Sequence, residues 1–201
     1  MTLERASSLL ASSIASAGSP PVAGILARLA TPQDIKQLVP LINKAYESAH
    51  WFKKPHFYDR VHAEYLESVM KTDYLIVLEE TKSVGRLVAS IRLVVPSPQE
   101  SPKHCGMSLL AIHPDLHRRG LAKYLFKLLC GVAIGYHAAN PDAGWDLMQC
   151  EVVSLQPHLI EIYTAWGFKI VGMVDWEAVG FSKDDVTIPC CLFVLHKRLA
   201  G

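Results

Sequence analysis

His113-Pro114-Asp115-Leu116-His117-Arg118-Arg119-Gly120-Leu121-Ala122 separates an apolar run from a long helical pattern. Upstream, Met107 to Ile112 reads as a buried strand. Downstream, Leu121, Tyr124, Leu125, Leu128, Leu129 and Val132 recur at helical spacing, which predicts a helix beginning near Arg118 or Arg119. A strand, a short basic turn with a glycine and a small residue, and then a helix N-terminus make an anion cradle. The first amides of a helix lack intrahelical partners and sit at the positive end of its dipole. Gly120 removes a side chain where a phosphate oxygen would approach, and Ala122 keeps the next inward position small. The chemistry therefore starts from a phosphate-bearing ligand.

The chain's 201 residues, half of them hydrophobic, suit one globular domain with a full core. Its net charge of +1 gives no global field toward nucleic acid or an acidic membrane. The five cysteines include the adjacent Cys190-Cys191 and no C-x-x-C pair, which argues against a disulfide framework and against zinc. A reducing, cytoplasmic setting follows as the expectation, with no metal. No apolar run approaches the ~18 residues that would span a membrane. Residues 1–24 are rich in Ser and Ala and end at Ser19-Pro20-Pro21. Their apolar centre is weak for a signal peptide, and Glu4 with a single arginine is poor for a transit peptide. They read as a loose or weakly helical extension, organelle targeting being the lesser alternative, and residues 25–201 read as a single domain.

Along that domain, Ile25 to Leu29 is a first strand, and Thr31-Pro32-Gln33-Asp34 opens a helix with a Thr cap, a first-turn proline and an acidic third residue. Pro40 lies inside that helix. Trp51 to His56 is expected as a loop and Tyr58 to Lys71 as a second helix. Tyr74–Leu78 and Val84–Val95 are expected to form a hairpin through Thr81-Lys82-Ser83, closed by Pro96-Ser97-Pro98. After the turn and its helix, a loop at Asn140–Gly144 leads to a strand at Asp146–Val153. A short helix over Pro157–Trp166, stopped by Gly167, and strands at Phe168–Val174 and Ile188–His196 complete the chain. This order predicts an α/β (mixed α+β) fold: a mixed, mostly antiparallel sheet of about six to seven strands with helices on both faces.

The turn and a second segment together resemble the GNAT superfamily of acyl-CoA-dependent N-acetyltransferases. In that family Gln/Arg-x-x-Gly-x-Gly/Ala follows the fourth strand; here it reads His117-Arg118-Arg119-Gly120-Leu121-Ala122, with His117 in place of Gln or Arg. The second segment, Ile162-Tyr163-Thr164-Ala165-Trp166-Gly167-Phe168, is similar to the family's Leu-Tyr-x-x-x-Gly-Phe, and Gln156 stands where the family often has an Asn. Two motifs on the right elements at the right separation carry more weight than either alone.

The resemblance implies acetyl-CoA as cosubstrate. The amides of Arg118, Arg119, Gly120, Leu121, Ala122 and Lys123 would hold its pyrophosphate. The edge of Leu110-Ala111-Ile112 would pair with the pantetheine arm, near Gln156, and an amide near Ile112 would polarise the thioester carbonyl. Tyr163 is implied as the proton donor to the departing thiolate. An amine of pKa near ~10.4 is mostly protonated at neutral pH, a penalty of roughly 4 kcal/mol, so a general base is required. Glu151 is the first choice, because its strand faces the fourth across the cleft; His113 and Asp115 come second and third. Trp51, Phe52, Tyr58 and Tyr65 are candidates to line an acceptor pocket, and equally an aromatic core patch.

The expected function is transfer of an acetyl group to a primary amine of a small molecule or peptide, by a monomer or homodimer. The alternative of another class is a non-catalytic acyl-CoA-binding sensor or scaffold of the same fold. Nucleic-acid binding through Arg118-Arg119 and Lys53-Lys54 lacks the basic aromatic surface it would need.

Overall fold

The computed structural model describes residues 2–82, 85–96, 104–140 and 145–199. Ser83 of the expected hairpin turn, Val84 at the start of the strand after it, Ser97-Pro98 of the expected closure and residues 141–144 of the later loop lie outside them. Seven strands form one sheet: β1 (Ile25–Leu29), β2 (Tyr74–Glu80), β3 (Arg86–Val94), β4 (His104–Ile112), β5 (Leu147–Val153), β6 (Lys169–Asp175) and β7 (Cys191–Arg198). Their order is β1-β2-β3-β4-β5-β7-β6, and every neighbouring pair is antiparallel except β4 with β5. Among the described residues five α-helices accompany them: α1 (Leu3–Ala17), α2 (Ile35–Tyr46), α3 (Ala63–Thr72), α4 (Leu121–Ala139) and α5 (Pro157–Ala165).

The sheet divides two cores. On one face, Leu38 and Ile42 of α2 and Leu66 of α3 pack on Leu75, Val77 and Leu87. On the other, Leu125, Leu128 and Leu129 of α4 pack on Ile76, Ile91, Met148 and Leu195, with Leu10 of α1. A smaller cluster joins Ala49 and Phe52 to Trp176, Val186 and Leu192 at one end.

Three boundaries differ from those the sequence suggests, each for a local reason. The second helix starts at Ala63, not Tyr58, because Asn43 of α2 ties down the chain before it: its Oδ1 accepts from the amides of Arg60 and Val61, both at 2.9 Å. The segment Trp51–His56 is not plain loop; Glu47–Phe52 and Pro55–Phe57 are short 3-10 turns. The helix after the basic turn starts at Leu121, later than Arg118 or Arg119, since Arg118 (φ 59°) and Gly120 (φ 81°) are both left-handed. The Thr31 cap holds as read: Asp34 Oδ2 accepts from the Thr31 amide at 2.7 Å, though the first turn is 3-10.

Residues 3–17, expected to be loose or weakly helical, are a capped helix seated on α4. Small residues on α4 permit the close approach. A Cβ at Gly131 would lie 2.1 Å from Ser13 Oγ, and one at Gly135 2.7 Å from Leu9 Cδ2. The buried Ser13 hydroxyl donates to the Leu128 carbonyl at 2.9 Å, so the crossing carries a polar lock as well as packing. Gly131→Val should overpack this contact and cost about 2 kcal/mol, read as a lower urea midpoint at unchanged slope. A midpoint within error of wild type would show that α1 contributes nothing there.

Candidate active site

β4 and β5 pair only at His104–Leu147, Cys105–Met148 and Gly106–Gln149, and beyond that they part. The divergence is reinforced by an extra residue in β4. Ser90 faces Ala111 and Arg92 faces Ser108, so three steps on β4 oppose two on β3. Leu109 takes the strain at φ 48°, and Ser90 Oγ donates to its carbonyl at 3.2 Å. The bulge also swaps faces. Cys105 and Met107 point into the α4 core, whereas Leu109 and Ala111 point into the α2–α3 core.

Past the bulge, the His113 amide donates to Val88 O at 2.8 Å. Alternation along an antiparallel edge then turns the backbone groups of Ile112 the other way, into the gap that β5 has left. This is the free edge the sequence assigned to Leu110-Ala111-Ile112. One group is already taken, because His117 Nε2 lies 3.0 Å from the Ile112 carbonyl. His117, expected in the cosubstrate turn, therefore braces the turn against the end of β4, which accounts for a histidine at the place of Gln or Arg.

The turn itself presents Arg118 and Arg119, both exposed, ahead of α4. The first intrahelical bond runs from Tyr124 N to Gly120 O at 3.0 Å, leaving the amides of Leu121, Ala122 and Lys123 without helical partners. That is the geometry a pyrophosphate requires. Gly120 serves the turn through its left-handed φ, and a Cβ there would meet Pro21 Cγ of the N-terminal segment at an ordinary contact distance of 3.4 Å. The side chain of Lys123 opens onto a different hollow of ≈ 530 Å³ between α1, α4 and α5, beside Lys127 and Trp166. That hollow holds neither Tyr163 nor Glu151.

Where β4 and β5 part lies a second cavity of ≈ 220 Å³, lined by Leu110, Glu151, Gln156 and Tyr163 among others. Gln156 caps α5 and Tyr163 sits two turns along it. The Tyr163 ring meets Trp166 and Phe168 edge-on, at 5.5 and 5.8 Å between centroids. Burial, with Tyr46 and Cys150 nearby, pushes the Tyr163 phenol well above its ordinary range, so it keeps its proton. Met148, Cys150 and Val152 point into the α4 core, which turns Gln149 and Glu151 to the opposite face. Glu151 is exposed there and accepts from Gln149 Nε2 at 3.0 Å. Gln149 Oε1 meets His196 Nε2 at 2.9 Å, and burial beside His104 lowers the His196 pKa. A polar chain thus leads from Glu151 along the sheet surface.

Apart from Phe52, the other candidates stand away from this cavity. His113 and Asp115 contact one another and Arg86. Of the four aromatics considered for an acceptor pocket, Phe52 lines the cavity. Trp51 is exposed, Tyr58 stacks on His50, and Tyr65 accepts from Arg92. Lys53, Arg60, Ser108 and Trp176 are among the lining residues not singled out from sequence for this site. Ser108 comes from β4, whereas two connections bring in Lys53, Arg60 and Trp176 and are clipped together. Thr187 N donates to Phe52 O at 2.8 Å and Lys54 N to Asp185 O at 2.9 Å. Among the described residues no cluster of His, Cys, Asp and Glu could hold a metal, and no helix is long and apolar enough to cross a membrane.

The splayed strands, bulge, basic turn and cleft tyrosine define an acyl-CoA-type transferase fold. Residues 36–168 match the Acetyltransferase (GNAT) family, and the chain belongs to it. Solved structures agree on the fold. The chain is similar to smu.2055 from Streptococcus mutans UA159 (TM-score 0.64, 16% identity, 87% of this chain and 99% of that one). It is similar to yncA, a putative acetyltransferase from Salmonella typhimurium solved with its cofactor acetyl-CoA (TM-score 0.60, 18% identity, 89% and 95%). A third is the ribosomal-protein-S18-alanine N-acetyltransferase from Escherichia coli (TM-score 0.63, 13% identity, 88% and 95%). No curated protein matches the chain. The protein is a GNAT N-acetyltransferase, and acetyl-CoA is the cosubstrate its family uses.

Proposed function

We propose that the protein moves an acetyl group from acetyl-CoA directly to the primary amine of a small molecule or peptide, within a ternary complex. The observation that carries this reading is that Tyr163 and Glu151 line one cavity, at the point where β4 and β5 part. Acetyl-CoA supplies the activated carbonyl and a sulfur leaving group. The chain supplies the rest. The amides of residues 118–123 hold the pyrophosphate, and the open edge at Leu110 to Ile112, with Gln156, guides the pantetheine arm. Glu151 takes, directly or through water, the proton the amine must lose before its nitrogen bonds the carbonyl carbon. As the carbon–sulfur bond breaks, Tyr163 delivers its proton to the sulfur, and the second proton that the nitrogen sheds as the amide forms returns to the phenol through water, while the first leaves Glu151 for solvent.

Melting the protein with acetyl-CoA and then following thiol release over an amine panel tests this. A cosubstrate at 100 times its Kd should add about 2.7 kcal/mol of stability, and release should depend on the amine. Stabilisation with no release from any amine would instead leave a CoA-binding sensor or scaffold. No stabilisation at all would remove the donor.

A further inference from the structure

The acceptor end of the cavity holds many hydrogen-bond donors and few acceptors. Lys53 is only 7% exposed, and its ammonium lies 5.0 Å from the centroid of the Phe57 ring. Burial and the neighbouring Arg60 lower its pKa to about 8, and among the described residues no carboxylate pairs with it. The half-buried Arg60 lies over the Tyr46 ring at 5.7 Å, again with no carboxylate partner among the described residues. Two more polar atoms on the lining, Ser108 Oγ and Trp176 Nε1, are buried without a partner. Lysine, arginine and indole nitrogens can only donate. The one carboxylate on the lining is Glu151, already bonded to Gln149.

Buried donors and charges left unpaired are costly, so a site that keeps the Lys53 ammonium, the Ser108 hydroxyl and the Trp176 indole in that state, beside the half-buried Arg60, is shaped for a ligand that accepts. The charge count narrows the ligand further. Lys53 and Arg60 against Glu151 leave one positive charge, which a single anionic group would balance. A polyamine or a second cationic side chain would be repelled. The remaining walls are apolar, among them Phe52, Phe57 and Phe181. At ≈ 220 Å³ the whole cavity is smaller than the roughly 300–1,000 Å³ of drug-sized pockets, and the pantetheine end must share it.

We infer that the acceptor is an amino carboxylate: a primary amine on a small apolar or aromatic body whose carboxylate is held by Lys53 and Arg60, with Ser108 and Trp176 as further donors. The inference rests on the acetyltransferase reading and names the substrate class of its site. A carboxylate suits the two cations geometrically, since arginine can grip it with two nitrogens.

Matched pairs provide the test. Thiol release would be measured for leucine, methionine, phenylalanine and tryptophan, each against the amine left when its carboxyl group is removed. The acid-bearing partner of at least one pair should win by about tenfold or more in kcat/KM, and Lys53→Met should collapse that ratio toward one through KM. Arg60→Gln should shrink it in the same direction. Equal or better use of the carboxylate-free partners by the wild-type protein overturns the inference, as does a Lys53→Met effect equal on both partners. Calorimetry of the N-acetylated pairs with wild type and Lys53→Met gives a readout that needs no turnover. Lys53-dependent preference for the acid without any thiol release sustains the carboxylate site and overturns catalysis. No preference for the acid, again without release, overturns both.

Discussion

Tyr163→Phe is expected to lower kcat about 100-fold, the lower end of what a positioned proton donor contributes, with the KM for acetyl-CoA within about twofold of wild type. The argument depends on what the substitution keeps. The ring faces Trp166 and Phe168 edge-on, and phenylalanine preserves both contacts, so folding and the cavity wall survive. Only the hydroxyl goes. In this setting the hydroxyl holds its proton tightly: burial first, then Tyr46 and Cys150, raise the phenol above its ordinary range. A raised phenol pKa means the proton-bearing form persists as pH rises, so the donor stays loaded under any working condition. A strongly held proton moves only when a thiolate forms beside it, whose charge inside a buried cleft is as unwelcome as the phenolate's. The variant therefore loses the step in which charge appears on sulfur and keeps the step in which the donor binds. Unchanged turnover would remove Tyr163 from the chemistry. A raised KM at constant kcat would make its hydroxyl a binding contact.

The elements around the cleft were legible because their signals are local. The apolar run, basic turn and helical spacing of residues 107–132 lie within one stretch, and the capping proline and glycine stop of α5 flank Tyr163 directly. What escaped is set by distant partners. The fit of Ser13 against Gly131 exists only once two segments have met, so a Ser/Ala-rich sequence reads as an extension until then. The late start of α3 depends on one side chain from α2. The bulge at Leu109 carries no glycine to announce a positive φ, and tertiary packing together with the Ser90 hydroxyl on its carbonyl holds it. Lys53 follows the same logic. Beside Lys54 it reads as half of a solvated pair, and only the pairing of residue 53 with Val186 draws it under the acceptor end. The donor half of the site was thus written contiguously, and the acceptor half was not.

Ala122→Asp should separate the fold of the turn from its ligand. Ala122 is half-buried in the first turn of α4, among the amides that precede the helix's own hydrogen bonds. A carboxylate there favours the helix, since anions in the first turn gain about 0.3–1 kcal/mol from its dipole. The protein without ligand should therefore melt no lower than wild type. Acetyl-CoA meets the opposite effect. Two like charges about 4 Å apart repel by ~4 kcal/mol at an effective dielectric of ~20, and part of that is screened at an exposed turn. A net penalty of about 2.7 kcal/mol corresponds to roughly 100-fold in affinity. Ala122→Asn is the control, because it matches aspartate in volume and lacks the charge. Its KM for acetyl-CoA should stay within about tenfold of wild type, so the ratio between the two variants reads charge alone. Equal KM values for aspartate and asparagine would mean that no phosphate sits on these amides, and the cradle would have to be sought beside Lys123 and Lys127 in the hollow between α1, α4 and α5.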